Sequence, residues 1–163
     1  MARPKTNGRP RTAARVAAVQ ALFQSEQAQD NPETVIDQFV RHRLGAPGEE
    51  GYEDGRVPDA YVPLFSRIVR AAVTGQERID VMLAESLPAE WPLVRIDPVL
   101  RALLRAAAAE FTMADGPPAR VVINEYLDVA HGFFTGEEPS MANGVLDRLA
   151  RLLRPGEFLP EAV

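Results

Sequence analysis

Apolar residues recur every three to four positions along most of the chain, which is the period of an α-helix with one buried face. The clearest such stripe consists of Tyr61, Leu64, Phe65, Ile68, Val69, Ala72 and Val73. Six further stretches show the same period, and none alternates with period two for long enough to predict a β-strand. The pattern therefore predicts an all-α protein of seven helices with short connections.

Proline, glycine and capping residues indicate where these helices begin and end. Asn31-Pro32 and Asp97-Pro98 each combine an N-cap residue with a proline at the first helical position. Glycines or prolines follow the expected ends of the other helices. The seven helices are expected at about 11–28, 32–44, 61–75, 79–87, 98–114, 118–134 and 139–154.

The same signals divide the chain into an arm, a body and a tail. Residues 1–10 contain two prolines, a glycine and an asparagine, so we expect a flexible basic arm. Residues 11–154 are expected to form a single domain with halves at about 11–75 and 76–154. Residues 155–163 follow the last helix and are expected to be a frayed tail.

Charge is distributed unevenly along the 163 residues. The chain has a net charge of −5, but residues 1–15 carry five basic side chains and no acidic one. A basic arm on an acidic body points to a polyanionic partner, although a solvated tail would have the same composition. Arg11 and Arg15 are four positions apart on the first helix, so we expect them to extend this charge along one exposed face.

Few residues are suited to catalysis or metal binding. The chain has no cysteine and two histidines, and it lacks a phosphate-binding glycine loop and a nucleophile elbow. Glu125, Asp128 and His131 share a helix but lack the second carboxylate–histidine unit of a di-iron bundle, so polar surface explains them better. The acidic stretch 45–58 lacks the ligand order of a calcium loop. We expect no metal, no cofactor and no enzymatic activity.

Apolar runs are too short for a membrane span, and no apolar segment follows the basic start as it would in a secretory signal. The sequence therefore favours a cytoplasmic protein without a membrane partner.

Three segments resemble the NusB family of bacterial transcription antitermination factors. The segment RTAARVAAVQALFQ, at 11–24, resembles the opening helix of that family, and VINEYLDVAHGFF followed by SMANGVLD, at 122–134 and 140–147, resembles its closing signature. Between them, Leu104-Arg105 followed by Glu110-Phe111 fits the central helix. The resemblance covers about residues 11–154 and keeps the order and spacing of the motifs.

This resemblance implies two packed three-helix-bundle halves and a role in RNA binding. Proteins of this family pair with NusE, a small-subunit ribosomal protein, on the single-stranded boxA element of nascent ribosomal RNA. They then act with other Nus factors on elongating RNA polymerase. The alternative is a non-catalytic adaptor of the same fold that binds protein and does not bind RNA directly.

Site residues follow from the resemblance position by position. Arg11 and Arg15 match a basic pair and are expected to contact RNA phosphates together with Arg9 of the arm. Met141 stands where relatives often have phenylalanine and is expected on the RNA side, since a thioether still offers a soft apolar surface.

Three other positions are implied to face NusE. Phe23 stands where many relatives have tyrosine, so the ring is retained and the hydroxyl is lost. Leu100 stands where the family often has an acidic residue, directly before Arg101. Phe23, Leu100 and Arg101 are therefore the expected partner contacts.

Overall fold

The computed structural model describes residues 9–44 and 60–159. The expectations for the first eight residues, for the acidic stretch 45–58 and for residues 160–163 lie outside these ranges. Within them the chain forms seven α-helices, one short 3-10 helix at Pro155–Phe158 and no β-strand, which confirms the predicted fold class. The α-helices are α1 (Pro10–Ala28), α2 (Pro32–His42), α3 (Val62–Thr74), α4 (Gln76–Ser86), α5 (Pro98–Phe111), α6 (Ala119–Phe133) and α7 (Glu138–Leu153).

Local sequence signals account for the starts of these helices. The side chain of Asn31 accepts a hydrogen bond from the backbone N–H of Glu33 at 2.8 Å. The side chain of Asp97 accepts one from the N–H of Val99 at 2.7 Å. Both side chains satisfy backbone donors that a helix leaves unpaired in its first turn, as their N-cap positions predict.

The core is organised around α5. Helices α1, α2 and α3 pack against one another, as do α5, α6 and α7, and α5 also contacts α1, α3 and α4. Because α5 is surrounded, nearly all of its side chains are buried, including the four consecutive alanines 106–109. Small side chains here let the neighbouring helices approach closely. The division of the domain into halves at about residue 75 stays a prediction.

The segment after α7 is docked on the body. Arg154 donates hydrogen bonds to the carbonyl oxygens of Phe111 at 2.6 Å, Met113 at 3.0 Å and Pro117 at 3.2 Å. The carboxylate of Glu157 accepts from the N–H of Ala119, the first residue of α6, at 2.9 Å. This backbone donor, followed by Arg154, lowers the pKa of Glu157. The expectation of a frayed tail therefore does not hold for residues 155–159.

Across residues 9–44 and 60–159, no helix has both the length and the apolar character needed to cross a bilayer.

Candidate functional site

The two arginines expected on one exposed face lie in different environments. Arg11 is exposed at the start of α1, with its guanidinium carbon 5.1 Å from the centre of the Tyr61 ring. Arg15, one turn further on, is 3% exposed. Helix α1 is covered by α3, α5 and α6, so even its polar positions in this turn face the interior. The expectation of a shared exposed face is wrong for Arg15.

Arg15 is held by a buried polar network. Its Nε and Nη2 atoms donate to the two carboxylate oxygens of Glu110 at 2.8 and 2.6 Å, and its Nη1 lies 3.2 Å from Glu125. The Tyr126 hydroxyl donates to Glu110 at 2.9 Å, and the Thr12 hydroxyl donates to Glu125 at 2.7 Å. Such two-point, charge-assisted contacts are among the strongest hydrogen bonds in proteins. The network joins α1 to α5 and α6.

Burial and charge act on the pKa values in this network. Burial opposes the charge of Arg15, but the hydrogen bonds that it donates to Glu110 raise the pKa of Arg15 above its usual range. Burial, supported by the charge of Glu110, raises the pKa of Tyr126 well above 10. Arg15 is therefore a cation and Tyr126 a neutral donor at neutral pH. Because Nε and Nη2 are bonded to Glu110, Arg15 can offer a phosphate only Nη1, which lies beside Glu125.

The other predicted cation, Arg9, is exposed. Its guanidinium lies 3.4 Å from the carboxylate of Asp128 on α6, and both side chains are more than half exposed. An exposed pair of this length contributes little to stability. Arg9 and Arg11 thus present accessible positive charge at the start of α1, beside a cavity between α1, α3 and α6.

This cavity has a volume of about 510 Å³. Arg11 and Tyr61 line one side, and the buried Arg15 and Glu110 together with the partly exposed Glu125 line the interior. The cavity could not be predicted from the sequence, because its lining residues come from four separate segments that only the fold brings together.

Phe23, the first expected partner contact, is partly buried and lines a groove of about 310 Å³. Val99 and Phe133 contribute apolar surface to the groove, and Gln20, whose side chain ends in an amide oxygen and nitrogen, also lines it. That oxygen is buried and has no hydrogen-bond partner in the part of the chain that the structure describes. The position and chemistry of this groove suit a protein partner that brings an apolar side chain and a donor.

Leu100 is different, because its side chain is fully buried in the core. A residue without exposed surface cannot contact a partner, so the structure contradicts the expectation that Leu100 faces one. Its place in α5, which has neighbours on all sides, is the physical reason.

The guanidinium of Arg101 already has hydrogen-bond partners within the chain. It pairs with the carboxylate of Glu26 on α1 and donates from Nη1 to the carbonyl oxygens of Leu93 at 3.1 Å and Ile96 at 3.3 Å. Arg105 donates to the same Glu26 at 2.6 Å. The hydrogen bond from Arg101 lowers the pKa of Glu26 despite partial burial, and the charge of Arg105 adds to this effect. Glu26 therefore ties α1 to α5, a role that sequence analysis missed.

Met141 lies in the first turn of α7, partly buried and packed against the core. Part of the side chain still reaches the surface.

Metal binding has no support from side-chain geometry in the described ranges. No group of three histidine or carboxylate side chains there is arranged to hold an ion. Glu125 faces Arg15 and Thr12, and Asp128 faces Arg9.

Similar proteins agree on one family. The model of the NusB family matches residues 12–151. A protein of Granulibacter bethesdensis named transcription antitermination protein NusB is 72% identical over 154 residues, which cover 94% of each chain. The NusB structure from T. maritima aligns with a TM-score of 0.71 and 26% identity over 91% of this chain and 96% of that one.

A structure of the antitermination factors NusB and NusE in complex with dsRNA aligns with a TM-score of 0.69 over 89% of this chain and 98% of that one. At 21% identity this likeness concerns the fold alone. Because the family model and the Granulibacter relative both span nearly all of the sequence, the chain belongs to the NusB family.

Proposed function

We propose that this protein is a non-enzymatic transcription antitermination factor that binds RNA and acts together with NusE. The observation that carries the proposal is the 72% identity, over 94% of both chains, to a protein named transcription antitermination protein NusB. The chain also has the fold of the NusB subunit in a complex with NusE and dsRNA, so its architecture is compatible with both partners.

The finer features of this function are part of the proposal. The RNA is a boxA-type single-stranded segment of nascent ribosomal RNA transcripts. The complex with NusE acts with other Nus factors on elongating RNA polymerase, which places the protein in the cytoplasm.

The RNA-binding surface is proposed at the start of α1. Arg9 and Arg11 are exposed there. Guanidinium groups bind phosphate oxygens with a planar fork of donors, and phosphate contacts supply most of the non-specific affinity for nucleic acid. Arg15 supports this surface from the interior, since it fixes α1 against Glu110. Met141 is the proposed apolar contact with the RNA.

The NusE surface is proposed at the groove that Phe23 lines. A partly exposed aromatic ring in a groove with apolar surface is the kind of feature that contributes much of the energy of a protein interface. Arg101 acts indirectly, because its bond to Glu26 holds the carboxyl-terminal part of α1 that carries Phe23.

The test is RNA binding by the full-length chain to a boxA-type oligonucleotide, with and without NusE. We expect NusE to tighten binding, the double variant R9A/R11A to weaken it, and F23A to remove only the NusE-dependent part. V81W is a matched control, because Val81 is 59% exposed on α4 and lines neither surface. NusE binding without any RNA binding would instead establish the adaptor alternative.

A further inference from the structure

The cavity beside Arg11 is lined by charged side chains, among them Arg15 and Glu125. The function proposed above assigns no ligand to it. It lies between α1, the start of α3 and the start of α6. Its volume of about 510 Å³ lies in the range of sites for small ligands and exceeds what one nucleobase needs. The cavity opens next to the exposed Arg9 and Arg11, where the RNA backbone is proposed to bind.

The sides of the cavity suit a flat ring. Tyr61 is 44% exposed and presents its ring, with the Arg11 guanidinium 5.1 Å from the ring centre. Leu64, Met113 and Val121 add apolar surface. Unstacked RNA bases bind in this way, stacked on aromatic rings or arginine planes with their edges directed to polar groups.

The interior of the cavity presents a hydrogen-bond acceptor. Glu110 is fully buried and both of its oxygens are used by Arg15. In Glu125, one carboxylate oxygen accepts from Thr12 and faces Arg15, whereas the other oxygen has no hydrogen bond to any residue of the described ranges. Arg15 and Thr12 thus hold Glu125 in place through one oxygen, and in the described part of the chain the other oxygen can accept from a ligand.

We propose that this cavity receives one unstacked base of the bound RNA and that guanine is preferred to uracil there. Either of the adjacent N–H donors on the Watson–Crick edge of guanine can donate to the available oxygen of Glu125, whereas uracil offers a single N–H between two carbonyl groups that a carboxylate repels. Tyr61 stacks on the ring, Arg11 contacts the adjoining phosphate and Glu125 accepts from the base edge. This proposal rests on the proposed RNA-binding function and adds base preference to it.

The test compares two RNA probes, decauridine and the same RNA with one central guanosine. Binding is measured on the full-length chain in the presence of NusE. We expect the guanosine to tighten binding about tenfold, because a well-placed base contact is worth on the order of a factor of ten. The V121W variant should lose this difference, since Val121 is 42% exposed and a larger ring there occupies the cavity without entering the core. The V81W variant should retain it.

A second measurement locates the base directly. The chain has no cysteine, so V121C and V81C each introduce a single thiol. The guanosine RNA should protect the thiol of V121C from alkylation and leave the thiol of V81C reactive. Unfolding temperatures of the four variants separate a blocked cavity from a damaged fold.

Three results would overturn the base site. If V121W keeps the full preference for guanosine, or if the wild-type chain binds both RNAs equally, the cavity does not bind the base, and the proposed RNA function stands. If neither of these RNAs nor a boxA-type oligonucleotide binds the wild-type chain in the presence of NusE, the proposed function fails together with the base site.

Discussion

Arg15 and Glu110 form a buried two-point ion pair that joins α1 to α5 across 95 positions of the sequence. The arginine that matches the family's basic pair is thus part of the core, and its nearest exposed neighbour on α1, Arg11, carries the accessible charge. This relationship separates two effects, fold stability and RNA affinity, that the sequence pattern assigns to the same pair of residues.

Removal of Arg15 should therefore destabilise the fold. In R15A the carboxylate of Glu110 stays buried without its cation, which costs roughly 3–5 kcal/mol of unfolding free energy. Urea unfolding followed by circular dichroism measures the loss. R11A is the matched control, and because Arg11 is exposed its stability should change by less than about 0.5 kcal/mol. Equal stability of the two variants would contradict a structural role for Arg15.

The burial of Arg15 could not be predicted from the local pattern. Alanine and valine surround it on α1, and this composition left open whether the helix is covered on one side or on several. The decisive partner, Glu110, lies in a distant helix, and only the packing of α1 on α5 and α6 brings the two charges together. A positive charge at helical spacing from another one does not reveal which of them faces water.

Arg11 should affect RNA binding rather than stability. Each phosphate contact that is lost on single-stranded RNA reduces the slope of log affinity against log salt by roughly 0.7. We expect this reduction in R11A and none in R78A, which removes an exposed arginine on α4. Fluorescence anisotropy titrations at several salt concentrations provide the slopes. An unchanged slope in R11A would remove this residue from the RNA surface.

Glu26 should make stability depend on pH. Its folded-state pKa lies below the usual 4.5, so its bonds to Arg101 and Arg105 contribute stability above that value and lose it as the pH falls through the folded-state pKa. At pH 7 the E26Q variant should be less stable by roughly 1–2 kcal/mol, a modest value because the pair is partly exposed. The difference between E26Q and the wild type should shrink in acid. Unfolding curves from pH 7 to pH 3 test this, and a constant difference would contradict it.

The sequence predicted where helices begin better than it predicted which side of each helix is buried. Asn31 and Asp97 cap α2 and α5 as their spacing to proline predicts, because capping is decided within a few residues. Leu100 shows the opposite case. It stands at a position where the family often has an acidic residue, so it was expected at the surface, but its side chain is buried. In α5 the apolar pattern extends around the helix, so periodicity could not tell which side lacks a neighbour.

Met141 provides the last test of the RNA surface. The side chain is partly buried against the core and partly exposed at the start of α7. In M141F the ring can turn toward the exposed side, where a stacked base gains on the order of 1–3 kcal/mol and methionine recovers only part of it. We therefore expect RNA binding to tighten several-fold with little change in NusE affinity.

The competing outcome for M141F has a distinct signature. If the ring enters the core instead, overpacking lowers the unfolding free energy by about 1–3 kcal/mol. Thermal unfolding and RNA titration of the same variant distinguish the two, because only the stacked ring raises affinity without lowering the unfolding temperature. A lower unfolding temperature with unchanged RNA affinity would assign Met141 to the core and leave Arg9 and Arg11 as the proposed RNA contacts.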